Sequence, residues 1–325
     1  MTVVQSERPF NTTTFGKQKE GRFQKYIRKA YSENTQISLD SGWRAFRKYL
    51  IKTGRTLNFH SHSYTPEELV ADFLVSLHEE GKSYSTVESR FYSVMIMFKR
   101  RGIVINRNLE SLRDVVKGIR RNSVGKKGQD PLSTASIIRM LSVTEDTLKG
   151  HRDRAILLLG FATACRRVEL ATIDVDHLMF VEGGMRLLVP RSKTDKSNEG
   201  RIIDIPRLDD KTNCPVVAVE EYIREASITS GPLFRGCFGK HVIGDKRLLP
   251  ISISVVIKKL AKQAGIRGKI SAHSLRSGHV SEAFKNGSHA ITIARQTGHK
   301  SLNTLQQYVR VTEEFRVNSV LSLGL

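Results

Sequence analysis

The chain has 325 residues, of which 39% are apolar, so it is long enough for two folded domains with substantial cores. Its 53 Lys and Arg against 32 Asp and Glu give a formal net charge of +21, which favours a polyanionic partner such as DNA, RNA or an anionic membrane. No apolar run approaches the roughly 18 residues that cross a bilayer, and the N-terminal residues have no signal-peptide pattern, so we expect a cytoplasmic protein that does not enter a membrane.

Both halves of the chain are basic. The first 130 residues carry 24 basic and 13 acidic residues, a net charge of +11, which leaves +10 for the remainder. An even spread suits a protein whose two domains both face phosphates, whereas a basic tail would concentrate the charge at one end. The ordinary alternative is a basic protein that is merely soluble.

Cysteine usage argues against disulfide or zinc chemistry. Cys165, Cys214 and Cys237 are odd in number, widely separated and without CxxC spacing. We expect three buried thiols, and the sequence indicates neither a metal site nor another cofactor.

Residues 1–30 are polar and basic with little periodicity, and we interpret them as a flexible arm. Over residues 31–120, apolar residues recur every three or four positions, which predicts four amphipathic helices in a compact domain. The residues that define these helices are Trp43, Phe46 and Leu50, then Leu69, Phe73 and Leu77, then Phe91, Val94, Met95 and Phe98, and finally Leu112, Val115, Val116 and Ile119.

Two of the four helices carry a start signal. Thr65 and Glu68 form a capping box with Pro66 at the first helical position, and Ser85 with Glu88 predicts a second capping box. In such a box the first side chain accepts from a backbone N–H while the glutamate returns to the backbone N–H of the cap. We therefore expect the second and third helices to begin at these residues.

The basic, glycine-containing stretch 121–130 is the predicted linker, and residues 131–325 form the second domain, of mixed α and β structure. Ser133 or Thr134 caps its first helix, and the apolar run AILLLGFA at 155–162 predicts a fully buried helix.

Alternating apolar residues then predict two strands, and the polar stretch RSKTDKSNEG between them reads as a hairpin loop. The alternating residues are Met185, Leu187 and Val189 in the first strand and Ile203 and Ile205 in the second. Helical patterns return at 216–225, at 255–264 and through most of the last fifty residues.

Four short motifs in the second half carry side chains suited to chemistry on a phosphodiester. Each alone has an ordinary interpretation, such as a solvated arginine, an exposed hairpin lysine, a turn histidine or a half-buried tyrosine. The motifs are Arg166 in TACRRVEL, Lys193 in RSKTD, His273 and Arg276 in HSLR, and His299 with Tyr308 in GHKSLNTLQQY.

In this order and at about these spacings, the motifs resemble the catalytic domain of the tyrosine recombinase (integrase) family. The first box of that family reads T-G-x-R-x-x-E-L, and Thr163, Arg166, Glu169 and Leu170 match it. Ala164 stands where the family usually has glycine. The resemblance covers the chain from about residue 131 onward.

The second box is H-x-L-R, matched by His273 and Arg276, followed by G-H and a tyrosine nine residues after that histidine, matched by His299 and Tyr308. The family carries a lysine on a β-hairpin between the boxes, which corresponds to Lys193. Lys196 is a rival for the same role. The layout is closest to Cre-type recombinases, in which tryptophan occupies the position of His299.

The N-terminal helices are similar to the family's helical core-binding domain, a SAM-like fold. The predicted fold is therefore mainly α with a small β-sheet, in which a four-helix core-binding domain precedes a mixed α/β catalytic domain. By resemblance, the protein breaks and rejoins double-stranded DNA with inverted-repeat sites through a 3′-phosphotyrosyl intermediate and a Holliday junction, in integration, excision or resolution.

The chemistry explains why these residue types are needed. In-line displacement at phosphorus places negative charge on the non-bridging oxygens, and guanidinium groups such as Arg166 and Arg276 can stabilise it as a divalent cation would. A tyrosyl ester at Tyr308 conserves the bond energy, so religation needs no ATP. We therefore predict cleavage without metal or ATP.

The resemblance also assigns proton-transfer and supporting roles. Lys193 is the expected general acid for the departing 5′ oxygen. His273 takes the tyrosine proton or hydrogen-bonds the phosphate, and His299 donates to a non-bridging oxygen. Glu169 either orients an active-site side chain or forms a solvated pair one helical turn from Arg166.

The expected assembly is a homotetramer on two DNA sites, with accessory proteins as possible partners, acting at the nucleoid of a prokaryotic host. Apolar residues in the tail would be exposed unless they pack, and the ordinary interpretation is docking onto their own domain. In the family a C-terminal helix inserts into the neighbouring protomer, so the resemblance implies exchange between protomers. These residues include Phe315, Val320 and Leu321.

Three other functions fit parts of the pattern. A non-catalytic DNA-binding regulator with the same fold would explain the charge and the helices but not six matching catalytic positions. A type IB topoisomerase-like enzyme would use the same chemistry without pairing DNA sites. An RNA-binding protein is disfavoured, because no RNP-type, KH-type or double-stranded-RNA motif stands out.

Overall fold

The computed structural model describes residues 30–59, 64–123, 128–190 and 200–299, together with Ser301 and Leu305. The chain divides into two compact units, Met1–Lys127 and Gly128–Leu325. Helices dominate both units, and the described strands form one three-stranded and one two-stranded sheet. The predicted fold class, mainly α with a small β-sheet, is confirmed.

The first unit contains the four helices that the apolar periodicity predicts. They are α1 (Glu33–Thr53), α2 (Pro66–Glu79), α3 (Tyr84–Lys99) and α4 (Glu110–Asn122). The capping box of α2 is also present: the Thr65 hydroxyl accepts from the Glu68 N–H at 3.2 Å, and the Thr65 N–H donates to the Glu68 carboxylate at 2.8 Å. Helix α4 runs through Asn122, two residues into the predicted linker.

The capping box predicted for α3 is wrong. The cap is Ser83, in extended backbone conformation two residues before Ser85, and the helix begins at Tyr84. Glu88 instead accepts a hydrogen bond from the Tyr84 hydroxyl at 3.2 Å. Two serines lie within three positions, and only Ser83 still has the extended backbone that a cap requires.

Phe46 of α1 is the centre of the core in the first unit. Its ring meets the rings of Phe73 and Phe98 edge-on, at centroid distances of 5.1 Å and 5.4 Å. All three side chains are buried. Such edge-to-face pairs each add about 0.5–1.5 kcal/mol to the stabilisation from burial itself.

Helices α1 and α3 approach most closely at Gly42. A Cβ atom built at this position would lie 2.4 Å from the Cβ of Ser93, closer than side-chain atoms can approach. The absent side chain at Gly42 therefore permits the packing of α1 against α3.

Gly42→Ala should destabilise the protein by about 1–3 kcal/mol, because the added methyl group overpacks the α1–α3 contact. Gly118→Ala on α4 is the matched control. Nothing lies within 4 Å of a Cβ at that position, and alanine should stabilise the helix by about 0.5–1 kcal/mol. Urea unfolding of both variants tests this pair, and two changes of the same sign would refute the close-packing argument.

The second unit contains seven described α-helices and five described strands. The helices are α5 (Thr134–Leu141), α6 (Leu148–Thr163), α7 (Arg167–Ala171), α8 (Pro215–Glu225), α9 (Pro250–Gln263), α10 (Ala272–Lys285) and α11 (Ala290–Thr297). The strands are β1 (Leu178–Val181), β2 (Gly184–Val189), β3 (Arg201–Pro206), β4 (Arg235–Phe238) and β5 (Val242–Arg247). Two short 3₁₀ turns, Val175–His177 and Lys211–Asn213, complete the described elements.

Helix α6 runs through the core of this unit, as its apolar run predicts. Residues 155–159 are all buried, and the helix packs against α8 and α10. The cap of α5 is Ser133, whose hydroxyl accepts from the Ser136 N–H at 3.1 Å. These elements fix the end of α6, after which the first sequence motif begins.

Strands β1, β2 and β3 form an antiparallel sheet in chain order. Met185 pairs with Ile205 and Leu187 with Ile203, so the predicted alternation places all four side chains in the core. Strand β1 and the β4–β5 hairpin were not predicted. The side chains of β1 are largely exposed, and β4 and β5 contain glycine and charged residues, so neither segment shows buried alternation.

Two further expectations concern cysteine and membranes. Cys165 and Cys214 are buried thiols, as predicted, but Cys237 is only partly buried, because it lies on β4, none of whose residues is fully buried. The Arg152 guanidinium donates to its sulfur at 2.7 Å. Within the described ranges, no helix combines the length and the hydropathy that crossing a bilayer requires.

Candidate active site

The structure describes the motif segments that contain Arg166, Arg276 and His299. They meet where α6 and α11 end and where α7 and α10 begin. Arg166 is the residue before α7, separated from the end of α6 by only two residues. Arg276 lies in the second turn of α10, and His299 follows Gly298, which ends α11. Helix packing in the second unit therefore assembles residues more than a hundred positions apart.

Ala164 turns the chain between α6 and Arg166. Its φ of 51° lies in the left-handed region, where a residue with a Cβ is disfavoured by about 1–2 kcal/mol. This is the position at which the family usually has glycine, so the alanine here adopts a backbone conformation that glycine would adopt without strain. The Ala164 carbonyl faces the site and accepts a hydrogen bond from Arg276 at 2.8 Å.

Arg276 connects the ends of two helices. It is 2% exposed, and Nη1 donates to the Ala164 carbonyl and, at 2.7 Å, to the Thr297 carbonyl at the end of α11. Nη2 lies 2.9 Å from Nε2 of His299. All three acceptors are neutral, so these contacts orient the guanidinium without cancelling its charge.

The hydrogen bonds of His299 define its tautomer. A guanidinium can only donate, so Nε2 accepts from Arg276 and the ring proton resides on Nδ1. Nδ1–H then donates to the Thr297 hydroxyl at 2.6 Å, and that hydroxyl donates to the Ile293 carbonyl at 2.6 Å. Burial, followed by the charges of Arg276 and Arg166, lowers the pKa of His299 to about 4. The ring is therefore neutral at physiological pH.

His273 occupies the first turn of α10 on the same side as the two arginines. Its ring retains exposure to solvent. Partial desolvation and the positive charges of Arg276 and Arg166 lower its pKa below the ordinary histidine value. His273 is consequently neutral near pH 7 and able to accept a proton.

Glu169 is the anionic group of the site. Its side chain is 4% exposed, so the solvated pair that the spacing allowed is excluded. The carboxylate accepts from the Arg166 backbone N–H at 2.9 Å, from Arg166 Nη1 at 2.7 Å and from Arg201 Nη2 at 3.0 Å. Burial opposes ionisation, but the Arg201 and Arg166 hydrogen bonds outweigh it and lower the pKa of Glu169. The carboxylate is ionised and holds both arginines.

A comparison with known protein families assigns the chain to a family. The model of the phage integrase family matches residues 132–314, more than half of the chain. The chain belongs to the phage integrase family. The resemblance to tyrosine recombinases that the sequence motifs indicate is thereby confirmed, and the enzyme class is that of the tyrosine-type site-specific recombinases. The narrower resemblance in layout to Cre-type enzymes stays a prediction.

Integrase relatives match over most of the chain. An integrase/recombinase described as a XerD homologue from Selenomonas ruminantium is 27% identical over 302 residues, which are 90% of this chain and 86% of the relative. The XerH recombinase bound to a palindromic difH substrate matches with a TM-score of 0.64 at 17% identity, over 85% of this chain and 76% of that one. A lambda integrase dimer on a COC′ core site matches with a TM-score of 0.61 at 19% identity, over 91% and 96%. These structures share the integrase fold.

The integrase fold brings together five of the residues that the sequence singled out. They are Arg166, Glu169, His273, Arg276 and His299. Lys193, its rival Lys196 and Tyr308 lie outside the described residues. Leu305, three positions before Tyr308, is buried against Val280 and Ile293 of α10 and α11. Leu305 therefore packs against two of the helices that position the site.

Motif matching missed Arg201 and Thr297, which hold Glu169 and His299. Arg201 had a readable signal: it shares the strand face of Ile203 and Ile205, and a charged residue on the buried face of a strand needs a partner. Thr297 gave no such signal. Among the described residues, no group of three His, Cys, Asp or Glu side chains could hold a metal ion.

His299 should remain neutral, with its proton on Nδ1, from pH 8 down to about pH 5. Arg276 already donates to Nε2, so adding a proton there places two positive groups in contact, which lowers the pKa. Long-range ¹H–¹⁵N spectra of the DNA-free protein, with His299→Gln to assign the signal, measure both tautomer and titration. His289, which caps α11, is a comparison signal on the same helix. A His299 ring that titrates near pH 6.5 would contradict the hydrogen-bond assignment.

Proposed function

We propose that this integrase cleaves and rejoins double-stranded DNA at specific sites through a 3′-phosphotyrosyl link to Tyr308. The observation that carries the proposal is the convergence of Arg166, Arg276 and His299. The three groups come from separate segments, and burial together with the charges of Arg276 and Arg166 lowers the pKa of both His273 and His299.

A scissile phosphate fits this position. Its non-bridging oxygens gain charge as the tyrosine attacks, and fixed guanidinium donors stabilise that charge without having to reorganise. Arg276 is fixed by two backbone carbonyls, and Arg166 by Glu169. Loss of one such donor typically slows chemistry about 10²–10³-fold.

We assign proton transfer to the two histidines and to Lys193. His273, neutral and partly exposed, accepts the Tyr308 proton. A phosphate oxygen next to Arg276 attracts positive charge onto His299, so that Nε2 gains a proton and donates to that oxygen. Lys193 protonates the departing 5′ oxygen. Lys193 belongs to the connector between β2 and β3, which leaves and rejoins the sheet where Val189 pairs with Arg201.

The position of Leu305 supports Tyr308 as the nucleophile. Leu305 packs on α10, which carries Arg276, and on α11, which precedes His299, and the three residues from Leu305 to Tyr308 span at most about 11 Å. The related XerH and lambda integrase structures contain DNA sites, which supports a DNA substrate here. We propose that it acts at the nucleoid of a prokaryotic host, which the XerD relatives from Selenomonas ruminantium and Staphylococcus haemolyticus support.

Recombination requires two sites, so we further propose a homotetramer on DNA. Apolar residues near the C-terminus, including Phe315, Val320 and Leu321, would dock onto a neighbouring protomer. The net charge of +21 supports extensive phosphate contact, and DNA affinity should therefore fall steeply as salt rises.

Tyr308→Phe should abolish covalent attachment to DNA while binding remains. We would incubate wild type and variant with supercoiled DNA from the gene's own genomic surroundings in EDTA, quench with detergent and separate protein–DNA adducts. The removed hydroxyl is the nucleophile, so the adduct should be lost entirely. Tyr92, an exposed tyrosine of α3, supplies the matched Tyr→Phe control.

Binding without an adduct in wild type would instead indicate a DNA-binding regulator of the same fold. Adducts that form and relax DNA without joining two sites would indicate a topoisomerase-like enzyme. An adduct that requires added Mg²⁺ would contradict metal-independent cleavage.

Lys193→Ala should slow adduct formation, and a sulfur in place of the bridging 5′ oxygen should restore the rate. A thiolate leaves without prior protonation because its pKa, about 8.5 in free cysteine, lies far below that of an alcohol. Single-turnover cleavage measures, for Lys193→Ala and for Lys196→Ala, the ratio of the rate on sulfur-bridged DNA to the rate on oxygen-bridged DNA. Sulfur rescue confined to Lys196→Ala would assign the general acid to Lys196, and rescue of neither would remove lysine from that role.

A further inference from the structure

Arg201 occupies an unusual place in the catalytic unit. It is the first residue of β3 and pairs with Val189, the last residue of β2, at the point where the connector that contains Lys193 leaves and rejoins the sheet. Its side chain lies on the buried face that it shares with Ile203 and Ile205, and it is 18% exposed. A nearly buried guanidinium at this point requires an anionic partner.

The guanidinium contacts three residues from two separate segments of the site. Nη2 donates to the Glu169 carboxylate at 3.0 Å and lies 3.6 Å from the sulfur of Cys165. A Cβ built on Gly298 would lie 3.1 Å from Nη1, so the guanidinium packs directly against the backbone before His299. One side chain thus contacts the segments that contain Arg166 and His299.

Two arginines share the single carboxylate of Glu169, but they differ in exposure. The Arg166 side chain is 39% exposed and faces the position proposed for the phosphate, whereas Arg201 is largely enclosed. If Arg166 were the only counter-ion of this buried carboxylate, it could engage a phosphate only by leaving a buried charge uncompensated. Arg201 removes that conflict because it stays with Glu169.

We propose that Arg201 is a positioning residue for strand cleavage: it neutralises Glu169 so that Arg166 can direct its charge to the scissile phosphate. This inference rests on the proposed function. Arg201 does not touch the reacting atoms in this assignment, and it acts through Glu169 and through the backbone at Gly298.

Removal of Arg201 has a consequence that a merely structural arginine would not have. The charged and titratable groups that face Glu169 are Arg166, Arg201 and Cys165. Burial raises the pKa of Glu169, and Arg201 and Arg166 lower it. Arg201→Met removes one of the two opposing cations, so the pKa of Glu169 rises. As pH increases and Glu169 ionises, it competes with phosphate for Arg166, so the deficit relative to wild type grows with pH.

The test is a double-mutant cycle on single-turnover adduct formation, with the full-length chain at saturating concentration on native-locus DNA, from pH 5.5 to 8. Arg201→Met should slow the reaction about 10–100-fold with DNA affinity nearly unchanged. Arg201→Lys, which keeps the charge, should recover most of the rate. Arg201→Met with Glu169→Gln should be faster than Arg201→Met alone, because no carboxylate remains to hold Arg166.

A matched control is Arg186→Met on β2, whose side chain forms an exposed pair with Asp204 at 3.0 Å. It should match wild type at every pH. A double variant as slow as Arg201→Met, or an Arg201→Met rate equal to that of wild type, overturns the inference.

Thermal unfolding of the DNA-free proteins separates this inference from the proposed function. Loss of Arg201 moves the folded-state pKa of Glu169 upward from its lowered value, so the melting-temperature deficit of Arg201→Met relative to wild type should grow as pH rises from about 4, where carboxyl groups ionise. Glu169→Gln should cancel the difference. If wild type forms no adduct, the proposed function fails, but the melting temperatures still decide whether Arg201 neutralises Glu169. An equal pH dependence of the melting temperature in all variants rejects that pairing.

Discussion

The hydrogen bonds of Arg276 are the constraint on which the rest of the site depends. A single guanidinium binds the Ala164 carbonyl after α6, the Thr297 carbonyl at the end of α11 and Nε2 of His299. Burying a charge is costly, and a rigid fork of donors offsets that cost only where acceptors lie at fixed positions. The ends of two helices provide those positions, so the fold and the site cannot be varied independently.

This arrangement also explains why the histidines are neutral. Each ring has lost part of its hydration through burial, and Arg276 and Arg166 add positive charge close to both rings, so the pKa of both histidines is lowered. In the proposed reaction, a bound phosphate would meet the donors of Arg166 and Arg276, and the neutral His273 would accept the proton of the nucleophile.

Glu169 and Ala164 show that the site is held by features with energetic costs. A carboxylate is buried so that two arginines are fixed, and a residue with a Cβ adopts a left-handed backbone so that its carbonyl faces Arg276. The packing of the core, in which residues 155–159 of α6 are buried, offsets both unfavourable free-energy contributions. Strain concentrated near functional groups and supported by rigid helices is common in active sites.

The sequence by itself determined the features that depend on neighbouring residues. The periodicity around Phe46 and Phe73, the Thr65–Glu68 cap and the alternation of Met185 and Leu187 are local, because a helix turn or a strand pleat relates residues only a few positions apart. The choice between two possible caps for α3 was already beyond this information, since Ser83 and Ser85 both satisfy the local pattern.

The motifs likewise identified Arg166, His273, Arg276 and His299, because the order and spacing of such residues can be compared with a family. Only the tertiary structure decided what those side chains contact. The burial of Glu169, the tautomer of His299 and the position of Arg201 beside Gly298 each depend on residues from separate elements, some more than a hundred positions apart. Charge compensation and hydrogen bonding act through space, and the chain's order does not encode those distances.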